Sequence, residues 1–417
     1  MPVISLPSER PEPTAYARAL ARLWNEIAAV GRHPETGGYR RFAWTAEDLT
    51  LREWFAGAAK DRGLTVTTDR ALNQWAWWGD PDEAALKGTP GLVLGSHLDS
   101  VPDGGAYDGP LGVVAALAAL EVLQAEGFQP ARPIGVVAFG DEEGARFGVA
   151  CAGSRLMTGS LDVDRALALR DRDGTTMAQA IGQAGFEPEQ LAPDPVALQR
   201  IGTFVELHIE QGRGLVEMNK AVGVASSIWP HGRWRFEFDG EANHAGTTRL
   251  VDRRDPMVTF AHAVMAARRA AEHHEALATF GKVQVEPNGV NAIPSRVTAW
   301  LDARAASATA VHEVVSDLRG SGARVSEESW TDETVFDTQL RGHLSALLAG
   351  TDGEAAPVLP TGAGHDAGVL SLALVETAML FVRNPTGVSH SPEEYAEEAD
   401  CVAGVEALAR VVQDLAS

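Results

Sequence analysis

Two short apolar runs that each break off into charged residues constrain this chain most. GLVLGSHLD (91–99) and PIGVVAFGDEEG (133–144) have strand length, and GVVAALAALEVLQAEG between them has helical spacing. Apolar strands alternating with helices build a largely parallel sheet covered on both faces. In such sheets sites form beyond the carboxyl ends of strands, and His97, Asp141, Glu142 and Glu143 fall there. The expected fold is α/β, a mostly parallel sheet flanked by helices.

The chain opens with two helical patterns, PTAYARALARLWNEIAAVG and TAEDLTLREWFAGAAKDRG, the second with Thr45 and Asp48 in capping spacing. LTVTTD and NQWAWWG then show the period of strands. Near residue 230 the texture changes. GRWRFEFDGEA alternates strictly, DPMVTFAHAVMAARRAAEHH is a long amphipathic helix, FGKVQVEPNGVNAIPSRVTAWLDAR reads as two strands, and another helix (ATAVHEVVSDLRGSG) and strand (ARVSEESW) follow. Beyond them HLSALLAG, APVLPTGAGHDAGVLS and ETAMLFVRN return to the first style. A chain of 417 residues exceeds one ordinary core. The simplest division is a discontinuous domain of residues 1–228 and 333–417 interrupted by an α+β sandwich at 229–332.

Composition narrows the function. Hydrophobic residues at 45% and charged residues at 22% describe a soluble globular chain. The net charge of −22 and the lack of basic clusters argue against nucleic acid. No signal peptide or membrane span is legible, so the expected location is the cytoplasm without membrane attachment. Two distant cysteines, Cys151 and Cys401, indicate neither a disulfide framework nor a thiolate zinc site.

Any metal would therefore be held by His, Asp and Glu. His97 follows a strand, Asp99 stands two residues on to orient its imidazole, and the glycine-rich PDGGAYDGP can return Asp108 to the same place. The alternative reading of this stretch alone, an acidic surface turn, is the less favoured one. Glu142 and Glu143 read alone as a solvated loop end, ELHIEQG with His208 as a polar strand, and GVSHSPEEY with His390 as a loop before a helix. Collected, His97, Asp108, Glu143, His208 and His390 form a nitrogen and oxygen set suited to zinc, manganese, cobalt or nickel. Five ligands exceed one tetrahedral site. A shared carboxylate could bridge two ions about 3.5 Å apart holding a common water, and a neighbouring unbound carboxylate would be free to move protons.

The segments GSHLDSVPDGGAYDGPLGV, DEEGARFG, ELHIEQG, GEANHAGTT, GAGHDA and GVSHSPEEY, in order from about residue 95 to 395, resemble the dinuclear metal amidohydrolases that cleave ureido compounds. That family comprises N-carbamoyl-L-amino-acid hydrolases, allantoate and ureidoglycolate amidohydrolases and β-ureidopropionases, relatives of aminoacylase and carboxypeptidase metallopeptidases. The resemblance implies two divalent ions per subunit: Asp108 bridges, His97 and His208 complete one site, and Glu143 and His390 the other. Glu142 would be the general base. Gln211, His244 and Asn291 would contact the ureido group and carboxylate, Arg304 the carboxylate, Gly364 would admit close backbone approach and His365 would line the pocket.

A homodimer is implied too, with His244 and Asn291 delivered to the partner's site and closure near residues 228 and 333. Arg249 and Leu250 after HAGTT, and Trp229, Pro230 and His231 at the junction, depart from the pattern of many relatives and blur the substrate. The implied reaction is hydrolysis of a linear ureido group on a small carboxylic acid such as an N-carbamoyl-L-amino acid, releasing ammonia and carbon dioxide. Allantoate or ureidoglycolate hydrolysis is the alternative. HIEQG and NHAGTT speak against an aminoacylase or dipeptidase, and a non-catalytic binding protein would lack a ligand or base, whereas all are present.

Overall fold

In the computed structural model, which describes residues 12–350 and 353–417, the chain divides into two units. One runs to Ser226 and resumes over Phe336–Leu359 and Gly364–Ser417; the other is Ser227–Val335 with Pro360–Ala363. After the helices Ala15–Ile27 and Ala46–Asp61 come strands β1 (Thr65–Thr68), β2 (Gln74–Trp78), β3 (Gly91–His97), β4 (Ile134–Phe139), β5 (Ile201–Ile209) and β6 (Val222–Ile228). Strands β7 (His231–Asp239), β8 (Asn243–His244), β9 (Ala276–Glu286), β10 (Ala292–Ile293), β11 (Arg296–Ala305), β12 (Arg324–Thr331) and β13 (Thr334–Val335) follow. The last are β14 (Val358–Thr361) and β15 (Glu376–Val382).

The sheet of the first unit runs β1-β2-β4-β3-β5-β15-β6. Its centre, β4, β3, β5 and β15, is parallel, and β2 and β6 join it antiparallel. Every residue of β3 and β4 is buried, which is why these strands read as unbroken apolar runs rather than alternating ones. The helix Pro110–Ala125 packs on β3 and β5 between the helices Ala15–Ile27 and Glu398–Leu415. It is buried continuously from Pro110 to Leu120. At about 1.5–3 kcal/mol for each large apolar side chain buried, that helix is a firm anchor. Asp108 lies two residues before its start, so the packing of the helix fixes where the Asp108 loop ends.

Capping differs from the sequence expectation at one helix. Thr45 is the N-cap of Ala46–Asp61, but its hydroxyl donates to the Phe42 carbonyl at 2.8 Å instead of capping. Asp48 reaches back to accept the Trp44 N–H at 2.9 Å, satisfying a different donor.

The second unit is an antiparallel sheet of order β12-β7-β11-β9. The helices Pro256–His273 and Ala308–Leu318 pack on it. Trp234, Phe236 and Phe238 of β7 alternate inward to meet Val297 and Leu301 of β11 and Val311, Val314 and Leu318 of the second helix. Strand β9 is an edge, and its Leu277 and Val283 are exposed. No helix among the described residues is long and apolar enough to cross a membrane.

Candidate metal centre

Five side chains from two strands and three loops of the first unit meet, with Asp108 at their centre. His97 ends β3, His208 lies in β5, Glu143 follows β4, and Asp108 and His390 stand in loops. Asp108 Oδ1 is 3.2 Å from His208 Nε2 and 3.6 Å from His97 Nε2. Its Oδ2 is 3.5 Å from His390 Nε2, which is 3.5 Å from Glu143 Oε2. Three groups able to hold a cation result: His97–Asp108–His208 and Asp108–Glu143–His390, with Asp108 common to both, and Glu206–His208–His365, which shares His208 with the first.

Both buried histidines are oriented by main-chain carbonyls close to them in sequence. His97 Nδ1 meets the Asp99 backbone carbonyl at 3.1 Å, and His208 Nδ1 meets the Ile209 carbonyl at 2.9 Å, so both rings turn Nε2 toward Asp108. The Asp99 carboxylate, 3.5 Å from His97 Nδ1, accepts the backbone N–H groups of Glu142 at 3.1 Å and Glu143 at 3.0 Å. The loop after β4 is therefore pinned by the loop after β3. Gly109 adopts φ +83°, and a Cβ there would fall inside the His97 ring.

The donor set fits a metal. His97 Nε2 and His208 Nε2 are buried without a hydrogen-bond partner, an expensive arrangement unless something else takes their lone pairs. Burial opposes a charge on His97, yet Glu142, Asp108 and Asp99 raise its pKa well above the usual range. Burial likewise opposes charge on His208, but Asp108 lifts it to about 9. Burial alone would raise Asp108, and His208 and His97 together hold it well below the ordinary carboxylate value. Burial, reinforced by Asp108, pushes Glu143 up to about 8, and burial carries Glu142 well above its usual range. So dense a group of carboxylates calls for positive charge, and the imidazoles supply it where no cation is bound.

Glu142 touches none of these oxygens. Its Oε2 is 3.7 Å from His97 Nε2, and its Oε1 accepts from the Cys151 thiol at 3.2 Å. Gln211 Nε2 donates to Asp108 Oδ2 at 2.7 Å. His365 is buried against the His208 ring, 4.5 Å between centroids, and burial with His208 beside it holds its pKa well below the ordinary value. Gly364 precedes it.

His244, Asn291 and Arg304 belong to the second unit. His244 pairs with Ala292 across β8 and β10, next to Asn291, whose carbonyl accepts the Ala245 N–H at 2.9 Å; both residues are exposed. Arg304 grips Asp302 with two bonds of 2.7 Å and the Gly362 carbonyl with another of 2.5 Å. That guanidinium already has a carboxylate partner in its own unit.

Sequence reading missed four residues of this centre. Glu206 lies beneath it, accepting from Ser96 at 2.7 Å and from the Ala367 N–H at 3.0 Å. Cys151 meets Glu142, and Ser389 and Glu394 contact the Asp108 loop. Ser389 and Glu394 sit within GVSHSPEEY, where a polar side chain beside His390 and a second acidic residue were the available signal.

The model of the peptidase family M20/M25/M40 matches residues 93–414. An N-carbamoyl-L-amino acid amidohydrolase of Geobacillus stearothermophilus is 36% identical over 95% of this chain and 98% of its own. An allantoate amidohydrolase of Escherichia coli is 30% identical over 97% and 99%. The crystal structure of an amidase of the hydantoinase/carbamoylase family from Burkholderia vietnamiensis superposes with a TM-score of 0.86 at 30% identity, covering 96% of this chain and 97% of that one. The chain belongs to the peptidase family M20/M25/M40, a metal-dependent family, and within it to the amidohydrolases, enzymes that hydrolyse C–N bonds.

Proposed function

We propose that this chain hydrolyses the linear ureido group of a small carboxylic acid, such as an N-carbamoyl-L-amino acid, at a centre of two divalent ions. The observation that carries this reading is Asp108, whose two oxygens face different ligand pairs, His97 with His208 and Glu143 with His390. Zinc, manganese, cobalt or nickel held by those residues supplies Lewis acidity and brings the pKa of water toward neutrality.

Glu142 is the general base: close to the ligands but bound to none, it takes a proton from the attacking water and delivers it to the leaving nitrogen. One O–C bond forms at the ureido carbon and one C–N bond breaks, leaving a carbamate whose remaining C–N bond then breaks, so that ammonia, carbon dioxide and the amino acid are the final products. Gln211 has its amide beside Asp108, within reach of a bound ureido group. His244, Asn291 and Arg304 contribute to substrate recognition, and Gly364 with His365 lines the pocket. Two copies associate through the second unit, which presents the open edge of β9 and exposed Val258 and Met265 on its helix.

The test is ammonia release by metal-reconstituted protein on N-carbamoyl-L-amino acids, N-carbamoyl-β-alanine, allantoate and ureidoglycolate, with amine release from N-acetyl-amino acids in parallel. Ammonia from the carbamoyl amino acids, lost on chelation and cut about 10²- to 10⁴-fold in Glu142→Gln at unchanged metal content, is the expected result. Ammonia from allantoate or ureidoglycolate alone would move the substrate to the alternative. Turnover of acetyl substrates only would replace the reading by an aminoacylase.

A further inference from the structure

Glu394 touches none of the histidines of the centre, yet it joins two of the loops that build it. The carboxylate is buried in the loop after His390. Its Oε1 accepts the backbone N–H groups of Tyr107 at 2.8 Å and Asp108 at 3.0 Å, and its Oε2 accepts the Ser389 hydroxyl at 3.2 Å. Gly105 makes the fit possible, because a Cβ there would overlap the Glu394 carboxyl group. A buried carboxylate is costly unless hydrogen-bonded, and this one is satisfied by two main-chain donors and a hydroxyl. With the Asp108 N–H fixed, only the side-chain torsions of Asp108 remain to aim its two oxygens.

Ser389 adds a second function. Its oxygen is also 3.0 Å from Asp108 Oδ2 and receives the Gln211 amide at 3.3 Å. A hydroxyl carries one hydrogen, so Ser389 donates to Asp108 or to Glu394 and never to both. A cation held by Asp108 would leave the Ser389 hydroxyl with Glu394 Oε2 as its acceptor.

We propose that Glu394 is a positioning residue that clips the Asp108 loop to the His390 loop, with Ser389 as its exchangeable partner, and so holds the two ligand groups in one geometry. The proposal rests on Asp108 being the shared ligand. Its test has one readout that needs no metal. In the full-length protein, amide hydrogen exchange over residues 105–109 is compared among wild type, Glu394→Ala, Glu394→Gln and Ser389→Ala, and each apo form is then titrated with cobalt(II).

Glu394→Ala exposes the Tyr107 and Asp108 amides to fast exchange while the central strands stay protected. It weakens cobalt binding about 10- to 100-fold and lowers kcat with little change in KM, since Glu394 meets no substrate. Glu394→Gln, whose amide oxygen still accepts both N–H groups, restores most of the protection and affinity. Ser389→Ala keeps the amide protection but weakens cobalt binding. Wild-type exchange and cobalt affinity in Glu394→Ala would overturn the clip, as would a Gln variant as impaired as the Ala one. If Glu394→Ala does not fold, the Gln and Ser389 variants decide by the same criteria. Wild-type protein that binds no cobalt would remove the proposed function, and the exchange comparison would still decide the clip.

Discussion

The Asp99 carboxylate accepts the backbone N–H of Glu142 at 3.1 Å, so a side chain of the loop after β3 sets the backbone of the loop after β4. Asp99→Asn puts an amide NH₂ where one of two acceptor oxygens stood, against the N–H of Glu142 or Glu143. The expected outcome is a kcat about 10- to 100-fold lower with secondary structure retained, checked by steady-state kinetics and circular dichroism. Wild-type kcat would show that the loop after β4 holds itself.

Gly109→Ala strikes the same centre from below. The new methyl group needs the space of the His97 ring and a left-handed backbone at φ +83°. A cost of about 1–3 kcal/mol in stability is expected together with loss of the ion bound by His97, measured by urea unfolding and metal analysis of the dialysed protein. A variant with full metal content and wild-type stability would mean that the His97 ring can move aside freely.

Asp69 provides a pH test away from the centre. It is buried, and burial pushes its pKa from 3.8 to about 6 despite donors from Ala71, Asn73 and Trp75. A raised carboxyl favours the folded state at low pH, where both states bind the proton, and that contribution is lost as pH rises to about 6. The stability of wild type relative to Asp69→Asn should therefore fall by about 1.4 kcal/mol per pH unit between roughly pH 4 and 6, then level off. Urea midpoints of the two metal-free proteins across that range check the sign; a difference that grows with pH would mean the four donors outweigh burial.

The edge strand β9 tests self-association. Replacing exposed Leu277 and Val283 by lysine places two charges on that edge. Sedimentation velocity should show dimer for the wild type and monomer for the double variant at equal concentration. Dimer in both would put the interface elsewhere.

Much of this architecture was legible because its causes are local. The unbroken apolar runs of β3 and β4 and the strict alternation of β7 reflect how many faces of each strand are covered. His97, Asp108, Glu143, His208 and His390 stand out in the sequence only as a collected nitrogen and oxygen set, since most of them alone read as ordinary polar turn, loop or strand residues. What holds them did not stand out. The bonds that join Glu394 to Asp108 and Ser96 to Glu206 span 286 and 110 residues, and no spacing rule reaches that far. Asp99 shows the same limit: its proximity to His97 could be read from the single position between them, whereas its bonds to Glu142 and Glu143 depend on β3 and β4 lying side by side.

The order of strands in the first unit has a consequence for how the chain is made. Strand β15 lies between β5 and β6, although Glu376–Val382 leaves the ribosome long after Val222–Ile228. During synthesis β5 and β6 must wait with unpaired edges, the condition under which a nascent chain is open to wrong partners. The His208 that ends in the finished centre waits with them. This enzyme therefore cannot acquire its central sheet from the amino end forward. Strand β15 is the keystone, and a ribosome that stalls before residue 376 releases a chain with a gap where its core should close.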